Sequence, residues 1–132
     1  MIIQEVLFDQ YDLNCDMIQM GKDYTIAIYG GDTPHVGAVV MSIARPSLIG
    51  NGIGVSSSIL TVTGHKDDQI AKWIAEETAK KTNGIVVCSC GIHIDGITPE
   101  QINIVIEKCD ALLQKIFLYI EAQGEKNGLF IS

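Results

Sequence analysis

No basic patch, no paired cysteines, no membrane-length apolar run and no phosphate-loop signature occur in this sequence. Each absence removes a class of function. Nine lysines and arginines stand against sixteen acids, a formal net charge of −7, and the basic residues are scattered. Neither a nucleic-acid backbone nor an anionic membrane surface is therefore expected as a partner. No run approaches the ~18 apolar residues of a membrane span, and the opening MIIQEVLFDQ has neither a basic region nor a small-residue cleavage site. A cytoplasmic protein is expected. The four cysteines, Cys15, Cys88, Cys90 and Cys109, form no C-x-x-C pair and read as free, buried thiols. Cys88, Cys90 and His93 invite a zinc site. Residues two apart on a strand lie ~6.5 Å apart, however, which fits poorly around a tetrahedral metal with Zn–S bonds of ~2.3 Å. No metal is expected.

What is present is a chain with 47% hydrophobic and 19% charged residues, enough for one domain, residues 1–132, with a proper core. The first ten residues suggest a short edge strand. Leu13, Cys15 and Met17 alternate with polar neighbours, as do Tyr24, Ile26 and Ile28, and Gly21-Lys22-Asp23 joins the two as a hairpin turn. His35 to Ala44 is apolar on both faces, like a central strand, with Gly37 inside it and Arg45-Pro46 as its end. Pro46 to Ser57 reads as the loosest part of the chain, with alternate glycines at 50, 52 and 54, a flap or a plain hairpin loop. Ser58 to Thr63 is a further strand. Asp67 to about Asn83 is a helix with acids first, lysines last and Asn83-Gly84 as its stop, turning Ile70, Trp73, Ile74 and Thr78 inward.

The stretch Ile85 to Ile106 organises the rest. A β-branched strand ends near Gly91, passes His93 and Asp95, and opens a long helix from Pro99 to about Gln123. Thr98 is its N-cap, Gln101 completes a capping box and Ile97 is placed to staple against Ile102. Its apolar stripe clamps the sheet. Ile104, Ala111, Leu118 and Tyr119 widen that stripe towards a second subunit. The tail ends in Leu129-Phe130-Ile131, a last strand or a frayed end. The fold expected is α+β: a mostly antiparallel sheet or sandwich of about five to seven strands covered by two helices.

The chemistry-bearing residues gather at strand ends. His65 and His93 each follow a glycine at a strand's C-terminal end, and His35 opens the central strand. If the strands are neighbours, these side chains converge on one rim, the arrangement of a ligand site. Each imidazole taken singly reads better as a solvent-facing or capping residue, and it is the set that points to binding. Lys66 stands at a helix start, where a cation is disfavoured unless an anion intervenes, and reads either as a phosphate contact or as a solvated surface lysine. Asp95 orients His93 or closes the turn at Gly96. No Gly-x-Ser-x-Gly elbow surrounds Ser56, Ser57 and Ser58, and no catalytic acid pair is evident. Nothing demands an enzyme.

The segments His35-Val36-Gly37-Ala38, Gly64-His65-Lys66-Asp67 and Gly91-Ile92-His93-Ile94-Asp95-Gly96-Ile97-Thr98, in this order, resemble the LpdD-like prenylated-flavin chaperone family. That family is typified by the D subunit of gallate and hydroxyarylic acid decarboxylase systems. The resemblance spans roughly residues 34 to 120. It implies a cytoplasmic homodimer, built like the proteasome-assembly chaperones, that binds prenylated FMN or FMN and performs no reaction. Such a chaperone takes its cofactor from a flavin prenyltransferase and passes it to a UbiD-type decarboxylase as an accessory subunit. Carried over by position, His35, His65, Lys66, His93 and Asp95 become contacts for the phosphate and the polar ring edge. Gly37, Gly64 and Gly91 permit close approach, Ser57 and Ser58 add hydroxyls, and the loop from Gly50 to Gly54 becomes a lid. Two alternatives stay open: an interaction module of assembly-chaperone type without a cofactor, and a small enzyme using His65 or His93 as general base.

Overall fold

The structure is a computed structural model that describes residues 2–62 and 67–127. The chain runs β1 (Ile2–Val6), β2 (Asp12–Met20), β3 (Asp23–Gly31), β4 (Ala38–Pro46), β5 (Ile53–Thr61), α1 (Asp67–Thr82), β6 (Ile85–His93) and α2 (Pro99–Asn127). The six strands form a single sheet in the order β1-β2-β3-β6-β4-β5. Every pairing is antiparallel except β3 with β6. The expected α+β class, with a mostly antiparallel sheet and two helices, is what the chain forms.

The period-two patterns do what they predict. Leu13, Cys15 and Met17 of β2, Tyr24, Ile26 and Ile28 of β3, and Val86, Cys88 and Cys90 of β6 all point into one core. Both helices cover that face, α1 over β4, β6 and β5 and α2 over β1 and β2, and the two helices touch each other. From α2 the core receives Val105, Cys109, Leu112, Leu113, Ile116 and Ile120. Lys115 ties this helix to β1 through Glu5 at 3.0 Å and the Gln4 carbonyl at 3.2 Å.

The face of α1 differs from expectation. Ala71, Ile74, Ala75, Thr78 and Ala79 are buried, while Ile70 and Trp73 sit half-buried at the margins. Small side chains let the helix backbone lie close on the sheet, which a row of large ones would prevent. The predicted stop is real. Asn83 takes a left-handed conformation (φ 51°), and the Gly84 N–H reaches back to the Ala79 carbonyl at 3.2 Å, closing the helix end.

Two boundaries move. β4 begins at Ala38, so Gly37 lies just before the strand rather than inside it. β5 begins at Ile53, so the loose segment shrinks to residues 47–52. The first half of the strand was hidden because Gly54 contributes no side chain to the pattern and Gly50 and Gly52 just before it read as loop. Pairing with β4 supplies the order instead, and Arg45 reinforces it with bonds to the Ser56 hydroxyl at 2.8 Å and the Val55 carbonyl at 3.2 Å. The loop also lies at the wrong end of the sheet to act as a lid. The length of β4 separates it from His35, about 26 Å at ~3.3 Å per residue. The tail segment Leu129-Phe130-Ile131 is outside the described residues.

All four cysteines are buried. Burial pushes the thiols of Cys15 and Cys109 up to about 12 and raises those of Cys88 and Cys90 as well. In the native protein at about pH 8, none of the four should react promptly with an aromatic disulfide reagent, and all four should react at once in denaturant. A fast-reacting native thiol would contradict this packing.

Candidate functional site

The sheet topology makes a rim. β3 and β6 run parallel, β4 runs against both, and β5 runs against β4. The C-terminal ends of β3, β5 and β6 therefore meet the start of β4 along one edge. β5 and β6 are not neighbours, since β4 lies between them, yet their shared direction brings their ends to the same rim. The Gly37 N–H bonds the Cys90 carbonyl at 2.9 Å and the Val62 N–H bonds the Gly37 carbonyl at 2.8 Å, which lashes the three ends together.

Two of the three histidines meet there. The rings of His35 and His93 stand edge to face with centroids 6.4 Å apart. The His35 Nδ1 lies 3.0 Å from the Thr33 carbonyl, and its Nε2 lies 3.3 Å from Asp67 Oδ2. Asp67 is the first residue of α1 and is buried. Its other oxygen accepts the Ile92 N–H at 3.1 Å, so one carboxylate joins a helix start, a strand end and a strand entry. A buried carboxylate is tolerable only with such partners, and the helix dipole adds to them.

A second chain of bonds runs along the outer side. The His93 Nε2 lies 2.8 Å from Asp95 Oδ1, the Asp95 N–H donates to Asp32 Oδ2 at 2.7 Å, and the Tyr11 hydroxyl donates to Asp32. His93 and Asp95 are both exposed, so their pairing contributes little stability. What it does is hold the imidazole in one orientation.

Behind this rim lies a hollow of about 330 Å³. Asp67, Gln69 and His93 supply its polar lining, and Ile70, Ile92, Ile94, Ile97, Ile102, Val105 and Ile106 supply the rest. The wall on the α2 side depends on the helix start. The Gln101 N–H donates to Thr98 Oγ1 at 3.2 Å and the Thr98 N–H to Gln101 Oε1 at 3.0 Å, the reciprocal capping box the sequence predicts. Ile97 and Ile102, the predicted staple, both face the hollow. A concave, mostly aliphatic chamber with a few convergent polar groups has the character of a small-molecule site, at the lower end of the usual size range.

Of the sequence-derived candidates, the structure brings His35, His93 and Asp95 to one place. Gly37 and Gly91 are there too, but the space beside each is occupied. A Cβ on Gly37 would run into the Asp67 carboxylate, and one on Gly91 into the His35 carbonyl. Both glycines let protein approach protein. Ser57 and Ser58 are not at the rim. The Ser57 hydroxyl donates to Glu76 Oε2 at 2.6 Å and meets the Ser42 hydroxyl at 2.7 Å beneath α1, while Ser58 pairs with Met41 and faces the other side of the sheet. Gly64, His65 and Lys66 lie outside the described residues.

Sequence reasoning missed Asp32, Asp67 and the aliphatic wall. Asp67 carried only the signal of a helix start, and Ile102 and Ile106 only that of a core stripe; at 44% and 49% exposure they are instead the accessible side of the hollow. A signal existed, since apolar residues at the start of a helix just after a strand end have little sheet left to cover. Among the described residues, no three of His, Cys, Asp and Glu stand close enough to hold a metal, and Cys88 and Cys90 point into the core.

Comparison with known proteins follows this geometry. The family described as the prenylated flavin chaperone LpdD-like domain matches residues 8–121. Protein LpdD of Lactiplantibacillus plantarum is 26% identical over 121 residues, which covers 88% of this chain and 85% of that protein. A chain from the crystal structure of a chaperone complex for yeast 20S proteasome assembly superposes with a TM-score of 0.50 at 14% identity, covering 87% of this chain and 95% of that one. The last likeness is one of fold.

Two outcomes test the rim. Gly91→Ala should destabilise the protein by at least about 2 kcal/mol in denaturant titration, because the new methyl meets backbone that cannot rotate away. Asp32 has its carboxyl held below the ordinary 3.8, first by the Asp95 N–H and then by the Tyr11 hydroxyl, and the same bond raises Tyr11 above 10.0. The stabilisation from Asp32 is therefore present above the ordinary carboxyl value and is lost as pH falls through its depressed one. In Asp32→Asn, Tyr11 should titrate at lower pH by NMR; an unchanged Tyr11 midpoint would break this chain of bonds.

Proposed function

Because the chain belongs to the prenylated flavin chaperone LpdD-like family, we propose that it is a non-catalytic carrier for prenylated FMN. It takes the cofactor from a flavin prenyltransferase and delivers it to a UbiD-type decarboxylase. The observation that carries this reading is the hollow between β6, α1 and α2, whose aliphatic wall is bordered by His93 and Asp67.

The chemistry of the lining favours one orientation. Asp32, Asp67 and Asp95 gather near His35 and His93, so a phosphate dianion gains little from the described residues. A flat, uncharged ring system with one apolar side and one N–H and C=O edge suits them better: aliphatic side chains cover the apolar part and His93 meets the edge. The phosphate falls to the segment Gly64-His65-Lys66, the site's candidate source of positive charge. A carrier must also release its guest. A half-open chamber without covalent or metal anchors among the described residues meets that need.

When the chain is co-expressed with a flavin prenyltransferase and purified, about one flavin per chain should remain by absorbance and by mass of the denatured extract. Ile106→Lys, at an exposed position of the wall, should lower flavin retention about tenfold or more while leaving the melting temperature unchanged. A colourless product with no flavin mass would overturn the reading.

A further inference from the structure

Among the described residues, the polar end of the hollow consists of Asp67, Gln69 and His93. What each of them already touches decides which of them can give a hydrogen and which can only accept one. The His93 Nε2 lies 2.8 Å from Asp95 Oδ1. A carboxylate oxygen offers lone pairs alone, so that nitrogen carries the hydrogen, and in the neutral ring the other nitrogen, Nδ1, is left as an acceptor. Asp95 is itself held in place. Its N–H donates to Asp32 Oδ2 at 2.7 Å, Asp32 accepts the Tyr11 hydroxyl, and the Asp32 N–H returns to the His93 carbonyl at 2.7 Å. Main-chain and side-chain bonds thus fix both the position of His93 and the ring nitrogen that remains for a guest.

Asp67 is a second acceptor. One of its oxygens takes the Ile92 N–H at 3.1 Å and the other faces the His35 Nε2 at 3.3 Å, and a carboxylate has no hydrogen to give in return. The Gln69 amide, exposed at the mouth, can both donate and accept. Two acceptors at the end of an aliphatic chamber call for a guest with a hydrogen to offer.

We propose that the hollow selects its guest by a ring N–H, accepted by His93 Nδ1, and that Asp95 is the positioning residue that keeps this nitrogen free of its own hydrogen. The inference rests on the carrier reading and narrows it. An isoalloxazine ring presents one such group, the imide N–H between two carbonyls, so its imide end belongs beside His93 and Asp67, where Gln69 has an N–H for a flanking carbonyl. A flat guest of equal size with only acceptors along that edge would set lone pairs against lone pairs. Such a guest is rejected by its hydrogen-bonding pattern and not by its shape. The Asp95 side chain is 84% exposed, so its pairing with His93 matters little for folding, and its removal tests recognition apart from stability.

The full-length chain, titrated at about pH 8 and followed by flavin fluorescence, should bind FMN at least about tenfold more tightly than FMN methylated at the imide nitrogen. Asp95→Ala should reduce that ratio to about twofold or less, and Asp95→Asn, whose amide oxygen still accepts from Nε2, should restore most of it. Imidazole nitrogen NMR of the free protein should show the His93 hydrogen on Nε2, and a mixture of both tautomers in Asp95→Ala. A wild-type His93 hydrogen on Nδ1, equal affinity for the two flavins, or a ratio that Asp95→Ala leaves untouched overturns the inference while the carrier reading stands. A chain that binds neither flavin overturns both.

Discussion

A buried carboxylate at the head of a helix constrains most of what matters in this molecule. Asp67 bonds the end of β6 through the Ile92 N–H and the entry to β4 through His35, while it begins α1. Removing water from an acid is costly, and the cost is offset only when every partner is in place together. The helix start, the strand end and the histidine are therefore coupled. Gly37 and Gly91 belong to the same constraint, since any side chain at either position would occupy the space that the carboxylate or the His35 backbone fills.

The one parallel pairing has a similar reach. Inserting β6 between β3 and β4 aligns three strand ends along one edge, and the chain must then leave β6 across that edge to start α2. The hollow is the space left where α1 arrives and α2 departs, and its wall comes from the start of α2, from Ile102 to Ile106. Rigidity comes from the capping box and the hydrogen-bonded strand ends, while the apolar chamber supplies room for a guest.

Much of this was legible in the chain. The alternating residues of β2 and β3, the stop at Asn83 and the start at Thr98 could be read because each depends on a few neighbouring side chains. The rim histidines could be suspected from their place after strands, and His35 and His93 do meet. Less could be read where a residue's partner is distant in sequence. Ser57 looked available as a ligand because Glu76 and Ser42, its actual partners, lie nineteen and fifteen residues away. The first half of β5, which the sequence reads as loop, needed β4 beside it to become visible.

By itself, then, the sequence determined the number and kind of elements, their caps, the apolar stripes and the gathering of imidazoles at strand ends, all consequences of local periodicity and backbone preference. Only the tertiary structure decided that both helices share one face, that Asp67 is spent on Ile92 and His35, and that Ile102 and Ile106 line a chamber instead of a core. Local chemistry acts over one or two helical turns. Which face is covered and which hollow stays open depend on strand order, and strand order is set by the packing of the whole chain.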